Sequence, residues 1–256
     1  MREPAEAEKL TVSINDRDSV TALLYLASKQ NHVGITVLLG HGAGGNQTSP
    51  FMRLFASGLA ARGFDAMTFN FLYAEKGRGG PDPKPKLESC YRAVINAALK
   101  HKKLRGNRLV IGGKSMGGRI ASQVAAGWTG LRNEVREQSK KLSSKTNTSE
   151  NEEQNTEDLM GLVFLGYPLH PPGKPEQMRD KHLKSIRAPM LFMQGSRDPF
   201  GTAEEIRAVI NRDHLPATLY VIEGGDHSFK VPKSSGTPQP QVFETVMNEI
   251  AYWLHR

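Results

Sequence analysis

The stretch of sequence that decides the fold is LVIGGKSMGGR, residues 109–119. It begins as an apolar run typical of a buried strand and ends in a small-residue pattern typical of a helix. Between them lies Gly-x-Ser-x-Gly, which is common by chance but in this context predicts a tight strand-to-helix turn presenting Ser115 above a sheet. We expect Gly113 and Gly117 to be required there, because a Cβ would strike a neighbouring strand or helix.

Outward from this turn, segments with strand and helix patterns alternate along the chain. The first two strands are joined by residues 15–18, a hairpin signal, whereas helices separate the later strands. The sequence therefore predicts an α/β fold with a mostly parallel, doubly wound sheet and antiparallel N-terminal strands. Besides the strand that starts at residue 109, the predicted strands cover residues 9–14, 20–28, 34–40, 64–71, 159–166, 190–194 and 219–222. Besides the helix after Ser115, the predicted helices cover residues 51–62, 87–102, 202–211 and 241–254, and residues 72–85 form a Gly- and Pro-rich loop.

Composition narrows the class of protein. The 256 residues carry a net charge of +8 and one cysteine, Cys90. This length fits one domain, residues 1–256, and the scattered basic residues argue against a nucleic-acid partner. The lone cysteine excludes an internal disulfide and fits a reducing compartment, and we predict that Cys90 is buried on a helix face. The sequence has neither an apolar signal core nor a membrane-spanning run, so it predicts a cytoplasmic protein. The polar stretch at 132–158 is predicted to be a mobile insertion.

Two further polar residues follow predicted strands at the same sheet edge as Ser115, the edge where α/β proteins bind ligands. Asp198 and His227 come directly after the last two predicted strands. Serine alone is a weak nucleophile near neutral pH, so it needs a general base, and the base needs an orienting carboxylate. The chain order predicts Ser115 as nucleophile, Asp198 as acid and His227 as base. Asp226, adjacent to the histidine, is a rival for the carboxylate.

A glycine-rich run after the third predicted strand, residues 41–45, is a candidate oxyanion hole. Acyl transfer generates a tetrahedral oxyanion, which preorganised backbone N–H groups stabilise. The N–H of Met116 is the first predicted donor because it follows the nucleophile, and that of Ala43 is the second, with Gly44 next. We interpret His41 as a residue that shapes this loop rather than a catalytic one.

Lys114, Tyr167 and His170 complete the candidate pocket residues. The turn geometry predicts that Lys114 faces solvent, and a role near an anionic substrate is the alternative. Tyr167 and His170 follow the strand at 159–166 and are predicted to line the pocket, although a loop without chemistry is an equal interpretation for His170.

Other chemistries find little support in the sequence. Residues 113–115, Gly-Lys-Ser, end like a phosphate-binding P-loop, but that loop needs a glycine where Arg108 stands. We find neither metal-ligand spacing nor a dinucleotide fingerprint. The sequence therefore predicts no metal and no other cofactor.

Five strings together resemble a known family: HGAG at 41–44, GKSMGGR at 113–119, GYPLHPPGKP at 166–175, QGSRD at 194–198 and GGDHS at 224–228. They resemble the testis-expressed-protein-thirty-like family, which is related to the hydrolase-like domain of the third regulatory subunit of the NSL acetyltransferase complex. Both are similar to dienelactone hydrolases within the α/β-hydrolase superfamily. The resemblance spans residues 34–254.

This resemblance implies a single-domain α/β-hydrolase fold with Ser115 as nucleophile, Asp198 as acid and His227 as base. Dienelactone hydrolases carry a cysteine where Ser115 stands, which argues against that activity. The polar stretch 132–158 departs from the compact family pattern and offers no apolar lid, which argues against an interfacially activated lipase.

The sequence therefore predicts a serine hydrolase that cleaves a small carboxylic ester or thioester through an acyl-enzyme. The expected partner is the small-molecule substrate. The alternative is a non-catalytic protein-interaction module of the same fold, suggested by the charged insertion and the relation to a chromatin-complex subunit. A cofactor-free lyase or perhydrolase using the same three residues is the third hypothesis.

Overall fold

The computed structural model describes residues 7–128 and 159–256 of the chain. The insertion predicted at 132–158 lies outside the described residues. The described residues form one eight-stranded sheet with the order β1-β2-β4-β3-β5-β6-β7-β8. Its strands are β1 Glu8–Ser13, β2 Ser19–Tyr25, β3 Ile35–Gly40, β4 Asp65–Phe69, β5 Arg108–Lys114, β6 Leu159–Leu165, β7 Met190–Gly195 and β8 Ala217–Ile222.

Strand direction follows the lengths of the connections. The short 15–18 turn makes β1 and β2 antiparallel, and β2 is also antiparallel to β4. From β4 onward all neighbouring pairs are parallel, because each strand returns through a crossover on a face of the sheet. The predicted fold class, a mostly parallel α/β sheet with antiparallel N-terminal strands, is confirmed.

Helices cover both faces of the sheet. They are α1 Pro50–Ala61, α2 Leu72–Glu75, α3 Lys84–Lys100, α4 Met116–Ala126, α5 Ala203–Asp213 and α6 Gln239–Leu254. Successive residues of β5 enter opposite cores: Ile111 packs with α3, α4 and α5, whereas Val110 packs with α1 and α6. This alternation explains why the central strands are apolar throughout rather than at every second residue.

Several local predictions can be compared with the structure. Cys90 is fully buried on α3, as predicted, and burial raises the pKa of its thiol to about 12. Thr202 caps α5 through a capping box with Glu205, in agreement with the helix predicted there. Residues 72–85 were predicted as loop throughout, but the single turn α2 lies at their start. Helix periodicity misses this turn because four residues are too few to show it.

The sequence was predicted to contain no membrane-spanning segment. Among residues 7–128 and 159–256, none of the helices combines the length and the apolar composition that crossing a bilayer requires.

Candidate active site

The turn after β5 holds Ser115 in a strained conformation. Its φ of 51° and ψ of −116° lie where non-glycine residues are rarely found, so the surrounding structure must impose them. Below it, a Cβ on Gly113 would lie 2.2 Å from the carbonyl oxygen of Gly40, and one on Gly117 would lie 2.1 Å from the same atom. The prediction that glycine is required at both positions is confirmed. The close approach brings the end of β3 against the start of α4.

Three side chains from the ends of β5, β7 and β8 form a hydrogen-bonded chain. The Nε2 of His227 lies 2.8 Å from the Oγ of Ser115, and its Nδ1 lies 2.7 Å from the Oδ2 of Asp198. Asp198 is fully buried and ionised carboxylates only accept hydrogen bonds, so Nδ1 carries the ring proton and donates it. Nε2 is then free to accept from the serine hydroxyl. The three residues that sequence order linked therefore meet with nucleophile-base-acid geometry.

Gln194, the penultimate residue of β7, binds the carboxylate of Asp198. It was not singled out from the sequence. It is fully buried, and its Nε2 donates to Asp198 Oδ2 at 2.9 Å and to the carbonyl of Gly201. Its Oε1 accepts from the N–H of Tyr167 at 2.8 Å. The second carboxylate oxygen of Asp198 accepts from the N–H of Phe200 at 2.9 Å. The Asp198 carboxylate thus has a fixed orientation, and Gln194 joins it to the loop after β6.

The imidazole of His227 is also held on its face. The ring of Phe200 lies over it with centroids 4.3 Å apart and an angle of 32° between the planes. Phe200 follows the Asp198-Pro199 turn, so one short segment both orients the Nδ1 edge of the base and packs against its face. Aromatic packing of this kind restricts the ring without consuming a hydrogen bond.

The loop after β3 runs beside Ser115. A Cβ built on Gly42 would lie 3.6 Å from the Cβ of Ser115, so the loop passes within contact distance. The hydroxyl of Tyr73 donates to the carbonyl of Ala43 at 2.9 Å and fixes the loop from α2. The N–H groups of Ala43 and Met116 donate to no other described residue, which leaves both available to a ligand.

His41 is a structural element of this loop, as interpreted from the sequence. It is fully buried; its Nδ1 lies 2.8 Å from the carbonyl of Gly42, and its Nε2 lies 3.1 Å from the N–H of Phe71. Only a neutral imidazole can donate at one nitrogen and accept at the other. Burial lowers the pKa of His41, which favours that neutral form. The ring therefore ties the loop after β3 to the segment after β4.

Comparisons with known proteins agree with this architecture. A family model described as an alpha/beta hydrolase domain matches residues 33–255. The chain belongs to the alpha/beta hydrolase family. The narrower family resemblance given above remains a prediction.

Solved structures of other proteins share the fold at low sequence identity. A dienelactone hydrolase from Anabaena variabilis ATCC 29413 is 17% identical, with a TM-score of 0.66 over 98% of this chain and 97% of that chain. An alpha-beta serine hydrolase homologue from Coxiella burnetii is 16% identical, with a TM-score of 0.62 over 96% of this chain and 95% of that chain. Est1E from Butyrivibrio proteoclasticus is 14% identical, with a TM-score of 0.64 over 96% of this chain and 100% of that chain.

In this alpha/beta hydrolase domain, Asp226 stabilises its own turn and does not bind the imidazole of His227. Its Oδ1 accepts from the N–H of Ser228 at 2.7 Å and from that of Lys230 at 2.9 Å, which shapes the loop after β8. The adjacent His227 takes its carboxylate partner from the loop after β7 instead. The rival carboxylate considered from the sequence is thus engaged elsewhere.

Two candidate pocket residues lie differently from the sequence prediction. Lys114 was predicted to face solvent, but its side chain is half-buried and its ammonium donates to the backbone carbonyl of His227. Tyr167 was predicted to line the pocket, but it is fully buried against Phe164 and Phe192, and its hydroxyl donates to the carbonyl of Arg179. The ring of Tyr167 lies in the core because this residue follows β6 directly and packs against aromatic residues of β6 and β7.

The remaining two candidate pocket residues, His170 and Gly44, lie in the loops after β6 and β3. His170 is buried, with Nε2 3.2 Å from Oε1 of Glu205 and Nδ1 2.8 Å from the carbonyl of Pro171, so it joins the loop after β6 to α5. Gly44 is exposed in the loop after β3, and a Cβ there would meet no atom within 4 Å. Within the part of the chain that the structure describes, no three His, Cys, Asp or Glu side chains form a group able to hold a metal ion.

Proposed function

We propose that this chain is a serine hydrolase that cleaves a small carboxylic ester or thioester through an acyl-enzyme. The observation that carries the proposal is the continuous chain from Ser115 Oγ through His227 to Asp198, with bonds of 2.8 and 2.7 Å. This geometry lets the imidazole remove the hydroxyl proton as the oxygen attacks a carbonyl carbon. A non-catalytic interaction module would have no use for such an alignment, so the enzyme is the favoured function.

In the first half of the reaction, Ser115 Oγ forms a bond to the substrate carbonyl carbon while His227 Nε2 takes its proton. The carbonyl oxygen gains negative charge and accepts from the N–H groups of Met116 and Ala43. The imidazolium is stabilised by buried Asp198, which keeps its own charge. When the tetrahedral intermediate collapses, His227 returns the proton to the departing alcohol or thiol, and the acyl group stays on the serine.

In the second half, a water molecule attacks the acyl-enzyme and His227 takes one of its protons. The same backbone donors stabilise the second oxyanion. Collapse breaks the bond to Ser115 Oγ, which regains a proton from the imidazolium, and the carboxylic acid leaves. The cycle as proposed uses no metal or organic cofactor.

The proposed substrate class is a small ester or thioester, and the proposed location is the cytoplasm. The resemblance to the testis-expressed-protein-thirty-like family is also part of the proposal. The serine nucleophile favours simple esters over a dienelactone, because dienelactone hydrolases use a cysteine at this position. Interaction with a protein partner remains the alternative role of the chain.

The direct test of the proposal is labelling with a fluorophosphonate probe. We expect the folded protein to be labelled on one tryptic peptide, the one that contains Ser115, and to hydrolyse short p-nitrophenyl esters. Heat-denatured protein serves as the control, because it has lost the aligned base. No labelling of folded protein, together with no ester turnover, would contradict the proposal, and a stable protein partner without turnover would favour the interaction module.

A pair of carboxylate substitutions tests the acid. We expect Asp198→Asn to lower kcat for the ester by roughly 10⁴-fold, because an amide there favours the wrong imidazole tautomer and carries no charge. Asp226→Asn is the matched control, since it alters the neighbouring carboxylate, which accepts from N–H groups of its own turn, and an asparagine oxygen can still accept from them. It should retain kcat within about threefold. Equal losses in both variants would show that the acid is misassigned.

A further inference from the structure

We infer that Lys114 is a positioning residue for the general base. Its ammonium donates a hydrogen bond to the backbone carbonyl of His227, the residue whose imidazole receives the serine proton. This inference rests on the proposed function and extends it. The lysine precedes the nucleophile in the chain, so one strand end both presents Ser115 and reaches across to hold the base.

The ammonium lies in a site enclosed by three elements. It is 5.6 Å from the ring centroid of Phe51 on α1 and 5.9 Å from that of Phe229 in the loop after β8. Gly166, after β6, closes the third side, because a Cβ there would lie 3.0 Å from Lys114 Nζ. Aromatic faces attract a cation, so Phe51 and Phe229 offset part of the cost of removing the ammonium from water.

The same glycine shows how near the cation is to the imidazole. The Cβ position at Gly166 that is 3.0 Å from Lys114 Nζ is also 3.3 Å from His227 Nδ1. Within residues 7–128 and 159–256, Lys114 is the one hydrogen-bond donor to the His227 carbonyl. Asp198 and Phe200 restrain the imidazole, whereas Lys114 restrains the backbone that carries it. Loss of the lysine therefore removes a restraint on the backbone that carries the imidazole of His227.

The charge of this lysine gives its role a pH dependence. The titratable groups that face it are Asp198, Asp226 and His227; the two carboxylates raise its pKa, but desolvation outweighs them and lowers it to about 8. Below that pH the ammonium makes a charge-assisted bond to the carbonyl, and above it the bond becomes an ordinary, weaker one. We therefore expect turnover to fall as pH rises through about 8.

Chemical replacement of the lysine separates charge from packing. Lys114→Cys can be alkylated with 2-bromoethylamine to give a lysine analogue, or with 1-bromopropane to give a neutral side chain of the same length. Cys90 is fully buried and the pKa of its thiol is raised to about 12, so it stays unmodified in the folded protein. Peptide mapping would verify the site of alkylation, and circular dichroism the fold.

We expect the aminoethyl form to hydrolyse p-nitrophenyl acetate with a kcat within about threefold of wild type. The propyl form should lose roughly 10- to 100-fold in kcat, the cost of a slightly misplaced catalytic group, with KM little changed. It should also lack the decline in rate above pH 8 that wild type and the aminoethyl form show. Lys114→Met is a second neutral version that needs no alkylation, and Lys102→Met, at an exposed position, is its control.

The outcomes separate this inference from the proposed function. Equal kcat values and equal pH profiles for the aminoethyl and propyl forms, with wild type active, would overturn the role of Lys114 alone. A wild type that is neither labelled nor active would overturn the proposed function, and the inference with it. A lower melting temperature of the propyl form with unchanged kcat would mean that the lysine only stabilises the loop, which also overturns the inference.

Discussion

Ser115→Ala is expected to lower ester turnover by roughly 10⁶-fold, the largest loss in activity of any single substitution in this chain. Removing Oγ removes the atom that forms the acyl bond, and His227 and Asp198 cannot act on a substrate without it. The backbone N–H groups of Met116 and Ala43 remain, so a small residual rate above that of water should persist. Single-turnover and steady-state assays with p-nitrophenyl acetate would measure both.

Two controls make this result specific to the hydroxyl. Alanine keeps the Cβ at position 115 and therefore the strain of its positive φ, so the urea midpoint of unfolding should stay close to that of wild type. Ser89→Ala removes a hydroxyl from an exposed position of α3 and should retain full activity. Turnover by Ser115→Ala within tenfold of wild type would mean that another residue is the nucleophile.

Much of the fold could be predicted from the sequence because its central strands are buried on both faces. Such strands are continuous apolar runs, as in β3 and β7, and glycines or polar turns bound them clearly. The antiparallel direction of the first two strands then follows from their short connection, and the parallel direction of the later ones from the crossovers between them. Short elements such as α2 escape, since one turn of helix carries no periodic pattern.

The three central residues of the candidate site could also be predicted, for a topological reason. Parallel strands end at the same edge of the sheet, so polar residues that directly follow β5, β7 and β8 are brought together whatever the intervening sequence. Chain order then supplied a role for each residue. The sequence could not choose firmly between Asp198 and Asp226, because that choice depends on which way two side chains turn within adjacent loops.

The supporting residues could not be predicted, because their contacts join loops of unrelated length. Gln194 is a polar residue at the end of an otherwise apolar strand, and it lies four residues before Asp198. A buried polar side chain at such a place is a signal worth using, since it must find hydrogen-bond partners. The prediction that Lys114 faces solvent was wrong because the loop after β8 returns over the turn after β5 and supplies the carbonyl to which the ammonium donates.

The largest expected loss of stability comes from Gly113→Ala. This residue pairs with Gly40 across β3 and β5, and its φ of 145° lies in the region that favours glycine. An added Cβ would lie 2.2 Å from the carbonyl oxygen and 2.7 Å from the nitrogen of Gly40, both of which are backbone atoms in a central strand. The clash and the unfavourable φ together should cost about 3 to 5 kcal/mol in the free energy of unfolding.

That cost is a large part of the stability of a typical domain, so the variant should accumulate poorly or unfold at a much lower urea concentration. Gly79→Ala is the matched control, since its φ is unexceptional and its Cβ would meet no atom within 4 Å. It should unfold within about 0.5 kcal/mol of wild type or be slightly more stable. If Gly113→Ala matched this control, the close contact between β3 and the turn after β5 would not exist in solution. The contact also sets Ser115 beside the loop after β3, so any folded fraction of Gly113→Ala should react slowly with the fluorophosphonate probe.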